Sequence, residues 1–140
     1  MPATILCVQE DRAVGRAFAA ALEGEGYEVL LAGDGRRCLE IAARQIPDLV
    51  VLDVYLSRQD GFEVLTTLRD RPISQSLPVL LLCGGDVTRE IVARAERLGA
   101  VGVVSAAISP EQLAGRVAAI LERRDKPATV APRTPCLLST

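Results

Sequence analysis

Histidine is absent from the 140 residues, and lysine occurs once, at Lys126. Without an imidazole there is no Ser-His or Cys-His catalytic pair and no Cys/His metal site. Clustered positive charge is missing too: the formal net charge is −2, and no Lys/Arg run is interleaved with aromatics. The electrostatic footprint of a nucleic-acid binder is therefore lacking, and direct DNA binding is not expected. No apolar run approaches the roughly 20 residues needed to cross a bilayer, and Met1-Pro2-Ala3-Thr4 leads into a strand-like segment without a signal-peptide pattern. A cytoplasmic protein without membrane contact is expected. The four cysteines, Cys7, Cys38, Cys83 and Cys136, lack metal-ligand spacing and read as buried or incidental thiols. Gly33-Asp34-Gly35 follows a strand-like run but lacks the pattern of a phosphate-binding loop.

What the sequence does contain is enough apolar material for one core, with 49% hydrophobic residues. Five short apolar runs, at Ile5–Val8, Glu28–Ala32, Leu49–Asp53, Val79–Cys83 and Val101–Ser105, alternate with five helical patterns. That alternation predicts an α/β fold with a parallel sheet covered by helices on both faces. Leu49-Val50-Val51-Leu52 is apolar at every position, so both its faces are expected to be buried in the centre of the sheet. The helices are expected over about Arg12–Glu23, from Asp34 to Gln45, along the Phe62-Leu65-Leu68 stripe, and from Asp86 or Thr88 to Gly99. Ser109-Pro110-Glu111-Gln112 joins an N-cap serine, a proline at the first helical position and a glutamine able to close a capping box. The helix it starts should run to about Arg124, giving a domain over residues 3–124. Residues 125–140 carry three prolines and little periodicity and read as a disordered tail or linker.

In an open, doubly wound sheet functional groups gather beyond the carboxyl ends of the strands, where strand order reverses. Those ends carry Gln9-Glu10-Asp11, Asp53, Cys83-Gly84-Gly85 and Ser105-Ala106-Ala107. Glu10 and Asp53 can converge there on a cation. The blocks Ile5-Leu6-Cys7-Val8-Gln9-Glu10-Asp11, Pro47-Asp48-Leu49-Val50-Val51-Leu52-Asp53, Asp60-Gly61-Phe62-Glu63-Val64-Leu65 and Leu77-Pro78-Val79-Leu80-Leu81-Leu82, followed by Gly99-Ala100 and Ser109 to Leu113, resemble the response-regulator receiver domain of two-component systems. The resemblance covers about Ala3 to Arg124. It implies a flavodoxin-like (βα)5 domain with strand order 2-1-3-4-5. It also implies a phosphorelay role, in which Asp53 accepts a phosphoryl group from a sensor histidine kinase or phosphotransfer protein with Mg2+ assistance. No enzymatic activity is implied beyond slow loss of that group. A downstream protein or output domain is the implied partner, through the fourth helix, fifth strand and fifth helix, and homodimerisation is left open.

Several positions depart from the family pattern. Gln9 stands where an acidic residue is usual, and Glu10 is one methylene longer than the common aspartate. With Asp53 and Glu10 as direct ligands and Gln9 acting through a water, a weakened metal site is expected, since a neutral ligand attracts a hard cation less than a carboxylate. The lysine after the fifth strand is replaced by Ala106, with Arg58 and Arg12 the candidates to compensate. The phosphoryl-sensing hydroxyl is replaced by Cys83, a weak hydrogen-bond donor that fills the space of a threonine at a strand end taken as exposed, and the aromatic switch by Val103. With no proline at Ala107, the Ala106–Ala107 bond is expected to be trans. Acceptance of phosphate on Asp53 should then be weak. The alternative is a pseudo-receiver that binds protein partners independently of phosphorylation.

Overall fold

The structure, a computed structural model, describes residues 2–125. The expected tail, with Lys126 and Cys136, lies outside the described residues. Five strands, β1 (Thr4–Val8), β2 (Glu28–Ala32), β3 (Leu49–Asp53), β4 (Val79–Cys83) and β5 (Gly102–Ser105), alternate with α1 (Arg12–Gly24), α2 (Gly35–Arg44), α3 (Gly61–Asp70), α4 (Arg89–Arg97) and α5 (Pro110–Asp125). All pairings are parallel, as the alternation of the sequence predicts, and they run in the order β2-β1-β3-β4-β5 that the family resemblance implies.

Side chains on successive strand residues point to opposite faces, and the sheet is buried on both. Leu6, Val8, Val50, Leu52, Val79 and Leu81 pack on one side with α2, α3 and α4. Ile5, Cys7, Leu49, Val51, Leu80 and Leu82 pack on the other with Phe18 and Leu22 of α1 and Leu113 and Val117 of α5. An unbroken apolar run is thus what a central parallel strand requires.

Helix starts follow the capping chemistry. Asp34 accepts from the Arg37 N–H, and the Thr88 hydroxyl accepts from the Ile91 N–H. At Ser109 the expected box is closed, with Gln112 N–H donating to Ser109 Oγ and Ser109 N–H to Gln112 Oε1. Asp60 and Glu63 close a second box at the start of α3.

One side chain ties two loops together. The Arg69 guanidinium, on α3, donates to the carbonyls of Ser74, Gln75 and Leu77 before β4 and of Leu98 and Gly99 at the end of α4. Gly99 has φ +78°, and a Cβ there would lie 3.1 Å from Arg69 Nε, so glycine is needed both for the turn and for the approach of the guanidinium. Arg94 sits 4.2 Å above the Phe62 ring, a cation–π contact that ties α4 to the start of α3. No peptide bond among the described residues is cis, so Ala106–Ala107 is trans as expected.

Candidate functional site

Strand order reverses between β1 and β3. The chain leaves β1 for β2 on one side and returns on the other as β3, with Val8 opposite Leu52. The residues just beyond that pair, Gln9 and Asp53, are therefore brought side by side at the carboxyl edge, where a parallel sheet opens its crevice.

Asp53 is half-buried as the last residue of β3. Its Oδ1 accepts from the Tyr55 N–H at 3.0 Å and its Oδ2 from the Gln9 side-chain amide at 3.2 Å. Burial pushes the Asp53 carboxyl above the ordinary aspartate range; the two donors pull it down, and the nearby Glu10 charge adds to the rise. The backbone behind it is held by α3. Gly61 N–H donates to the Val54 carbonyl at 2.7 Å. A Cβ on Gly61 would run into the Asp53 carbonyl oxygen and lie 2.8 Å from Val54 Cα, so only glycine permits this approach.

Gln9 is itself buried, at 8% exposure, and its backbone N–H closes onto the Ala32 carbonyl. Glu10 turns outward. Its Oε2 accepts from both the N–H (2.8 Å) and the hydroxyl (2.6 Å) of Ser57, in the loop after β3. Those bonds, the hydroxyl first, hold the Glu10 carboxyl below the ordinary glutamate range. Asp11 is used structurally, as N-cap of α1, accepting from the Ala13 and Val14 N–H groups.

The switch positions differ from expectation at one point. Cys83 is not exposed: it is fully buried, like every residue of β4. Its thiol faces the Gly84 and Asp86 carbonyls at 3.6 and 3.7 Å, because the loop leading to α4 folds back over the strand end. That enclosure removes the access a redox role needs. Val103 is partly buried against the cluster beneath α4, and Ala106 against the cluster beneath α1 and α5. Ala106 N–H donates to the Cys83 carbonyl at 2.9 Å. Neither Arg12 nor Arg58 reaches Asp53: among the described residues the ion pairs are Arg36–Glu40 and Arg37–Glu40 on α2.

Two contributors had no signal in the sequence. Tyr55 acts through its backbone N–H, which any non-proline residue supplies. Ser57 is a lone serine among loop residues, and only the folded loop brings it to a residue 47 positions away.

The sequence profile of the response regulator receiver domain matches residues 5–118. The chain belongs to the response regulator receiver family. It is similar to the response regulator MprA of Mycolicibacterium vanbaalenii, at 41% identity over 123 residues, covering 88% of this chain and 52% of that protein. The MprA of Mycobacterium leprae is also 41% identical, over 91% of this chain and 54% of the relative. The chain thus spans about half the length of the curated relatives it matches. Among solved structures, a response regulator from Chloroflexus aurantiacus superposes with TM-score 0.79 at 30% identity, covering 88% of this chain and all of the other. Chemotaxis response regulator CheY4 of Vibrio cholerae superposes with TM-score 0.80 at 26% identity, covering 86% of this chain and 99% of its own. Receiver domains are signalling modules rather than enzymes, acting between histidine kinases and output domains. No helix among the described residues is long and apolar enough to cross a membrane.

Proposed function

We propose that this receiver accepts a phosphoryl group on Asp53, slowly and to a low level, from a sensor histidine kinase or phosphotransfer protein. The supporting observation is the Asp53 carboxylate itself: half-exposed at the switch point and oriented by one donor on each oxygen. In the transfer a carboxylate oxygen of Asp53 bonds to phosphorus, the P–N bond to the donor imidazole breaks, and that nitrogen is reprotonated. Hydrolysis later breaks the new P–O bond and restores the carboxylate.

The two carboxylates at this edge, Asp53 and Glu10, offer oxygen ligands, which suit Mg2+. Asp53 and Glu10 would hold the ion, with Gln9 contributing through a water. The ion's contribution is positive charge that offsets repulsion between the carboxylate and the phosphoryl oxygens. The fit is weakened, because Gln9 is neutral and no three acidic side chains converge among the described residues. Tyr55 N–H fixes the rotation of the acceptor carboxylate. Gln9 places a neutral donor where most receivers carry charge. With alanine at position 106, this edge has no ammonium to stabilise transferred charge. The rate is therefore low.

Intact-mass measurement of the protein incubated with a small acyl phosphate and Mg2+ tests this. Slow, substoichiometric labelling that Asp53→Asn abolishes is expected. Rapid stoichiometric labelling, or equal labelling of Asp53→Asn, would overturn it. The Gln9–Asp53 bond favours a second reading, a cytoplasmic module that binds protein partners whether or not Asp53 is phosphorylated, because the protein's own donors engage both oxygens of the acceptor. Absence of label under all conditions would favour that second reading.

A further inference from the structure

We propose that Ser57 is a latch on Glu10 that competes with the divalent cation, so that this loop serine sets how readily the acceptor site takes up its metal. The inference rests on the reading of Asp53 and Glu10 as the cation-holding pair. Two carboxylates at one sheet edge repel each other, and hydrogen bonds from neutral donors offset that repulsion. Gln9 supplies an N–H to Asp53, while Ser57 supplies both its N–H and its hydroxyl to a single oxygen of Glu10. Hydrogen bonds to an ionised acceptor are the strong kind, and the 2.6 Å hydroxyl contact has the short length of that class.

The extra methylene of Glu10 makes the latch geometrically natural, because the longer arm reaches across to the loop after β3. Both bonds fall on Oε2 and draw the carboxylate toward Ser57, so swinging it toward a cation beside Asp53 works against one or both of them. Glu10 and Ser57 are exposed, so the exchange needs no repacking of the core. The same loop carries Tyr55 N–H, which holds Asp53 Oδ1, so release of Ser57 also loosens the segment that orients the acceptor.

Mn2+ binding to the full chain, followed by electron paramagnetic resonance, is the test, with wild type, Ser57→Ala, Ser57→Thr and Asp53→Asn compared. Ser57→Ala removes the hydroxyl, and because water competes for both exposed partners the net gain is reduced from that of a buried charge-assisted bond to about two- to fivefold tighter binding. Ser57→Thr, which keeps the hydroxyl and the N–H, should bind as wild type does, and Asp53→Asn should lose binding. In a second readout, Mg2+ should speed hydrogen exchange at the Ser57 amide. Saturable, Asp53-dependent binding that Ser57→Ala leaves unchanged or weakens would overturn the latch while the proposed function stands. Binding indifferent to Asp53→Asn, or no saturable binding in wild type and Ser57→Ala alike, would overturn the cation-holding pair and the latch with it.

Discussion

Replacing Ala106 by lysine tests whether missing charge is what limits the acceptor. Asp53 lies opposite Leu82 on β4, and Cys83 lies opposite Ser105 on β5, so position 106 is two strands from the acceptor. Val104 is level with Asp53 and position 106 lies two residues further on, so at about 4.8 Å per strand and about 3.3 Å per residue the two Cα atoms are roughly 12 Å apart. A lysine stem of about 6 Å and an aspartate stem of about 2.5 Å bring the ammonium to about 4 Å from the carboxylate. At that distance two unit charges interact by about 1 kcal/mol in bulk water and about 4 kcal/mol at an effective dielectric of 20. Because Asp53 is only half-buried, the lower part of that range applies. An effect of about 1–2 kcal/mol is a gain of roughly five- to thirtyfold. The assay is the initial rate of phosphoryl incorporation from a small acyl phosphate at fixed Mg2+. Adding Gln9→Asp should raise the rate above that of either single change, since both charges act on one centre. Salt should reduce the gain. A rate that Ala106→Lys leaves unchanged would refute the charge argument.

Arg69→Met removes a guanidinium bonded to five backbone carbonyls. Since those bonds share one partly exposed group, a loss of about 2–4 kcal/mol in urea unfolding is expected, and Arg69→Lys should recover less than half of it. The Asp53 carboxyl is raised in the folded state by burial, so the folded protein holds that proton more tightly than the unfolded chain. This contribution to stability is present below the ordinary value of 3.8 and is lost as pH rises through the raised one. Asp53→Asn should accordingly melt higher than wild type at neutral pH, with the difference closing toward pH 3.8. Burial lifts the Cys7 and Cys38 thiols to about 12, so neither should react with a thiol reagent at pH 8 until the protein is unfolded.

Much of the fold was legible because its signals are local. The all-apolar Leu49 to Leu52 run, the caps at Asp34, Thr88 and Ser109, and the glycine after α4 each act within a few residues of themselves. The meeting of Gln9 and Asp53 was legible for a different reason: in a doubly wound sheet the strand ends on either side of the reversal are neighbours whatever the loops do. The fate of each side chain was not. Alternation says which face a strand residue points to, but at the last residue of β4 exposure depends on whether the next loop folds back. Here it does, and Cys83 is enclosed. The Glu10–Ser57 pair depends on loop conformation and on one methylene of reach, neither of which has a periodic signature.

These features bear together on how a phosphoryl group on Asp53 would be read. A hydroxyl beyond β4 and an aromatic on β5 are the usual route from the acceptor to the α4–β5–α5 face, and the receiver has a buried thiol and a valine instead. Its α4 is also tied down, through the Arg69 bonds to Leu98 and Gly99 and the Arg94 contact with Phe62. The loop after β3 is coupled to the acceptor by shorter links: Tyr55 N–H on Asp53 Oδ1, Ser57 on Glu10, and Gly61 against the Asp53 backbone. Added charge at Asp53 displaces these bonds first, so the response is expected between Val54 and Gly61 rather than in α4. Hydrogen exchange on protein labelled through an acyl phosphate measures this directly, the Asp53→Asn protein serving as the unlabelled reference. Faster exchange at Tyr55 and Ser57 with α4 unchanged is the expected pattern. A change confined to α4 and β5 would show that a route to that face persists without the hydroxyl and the aromatic.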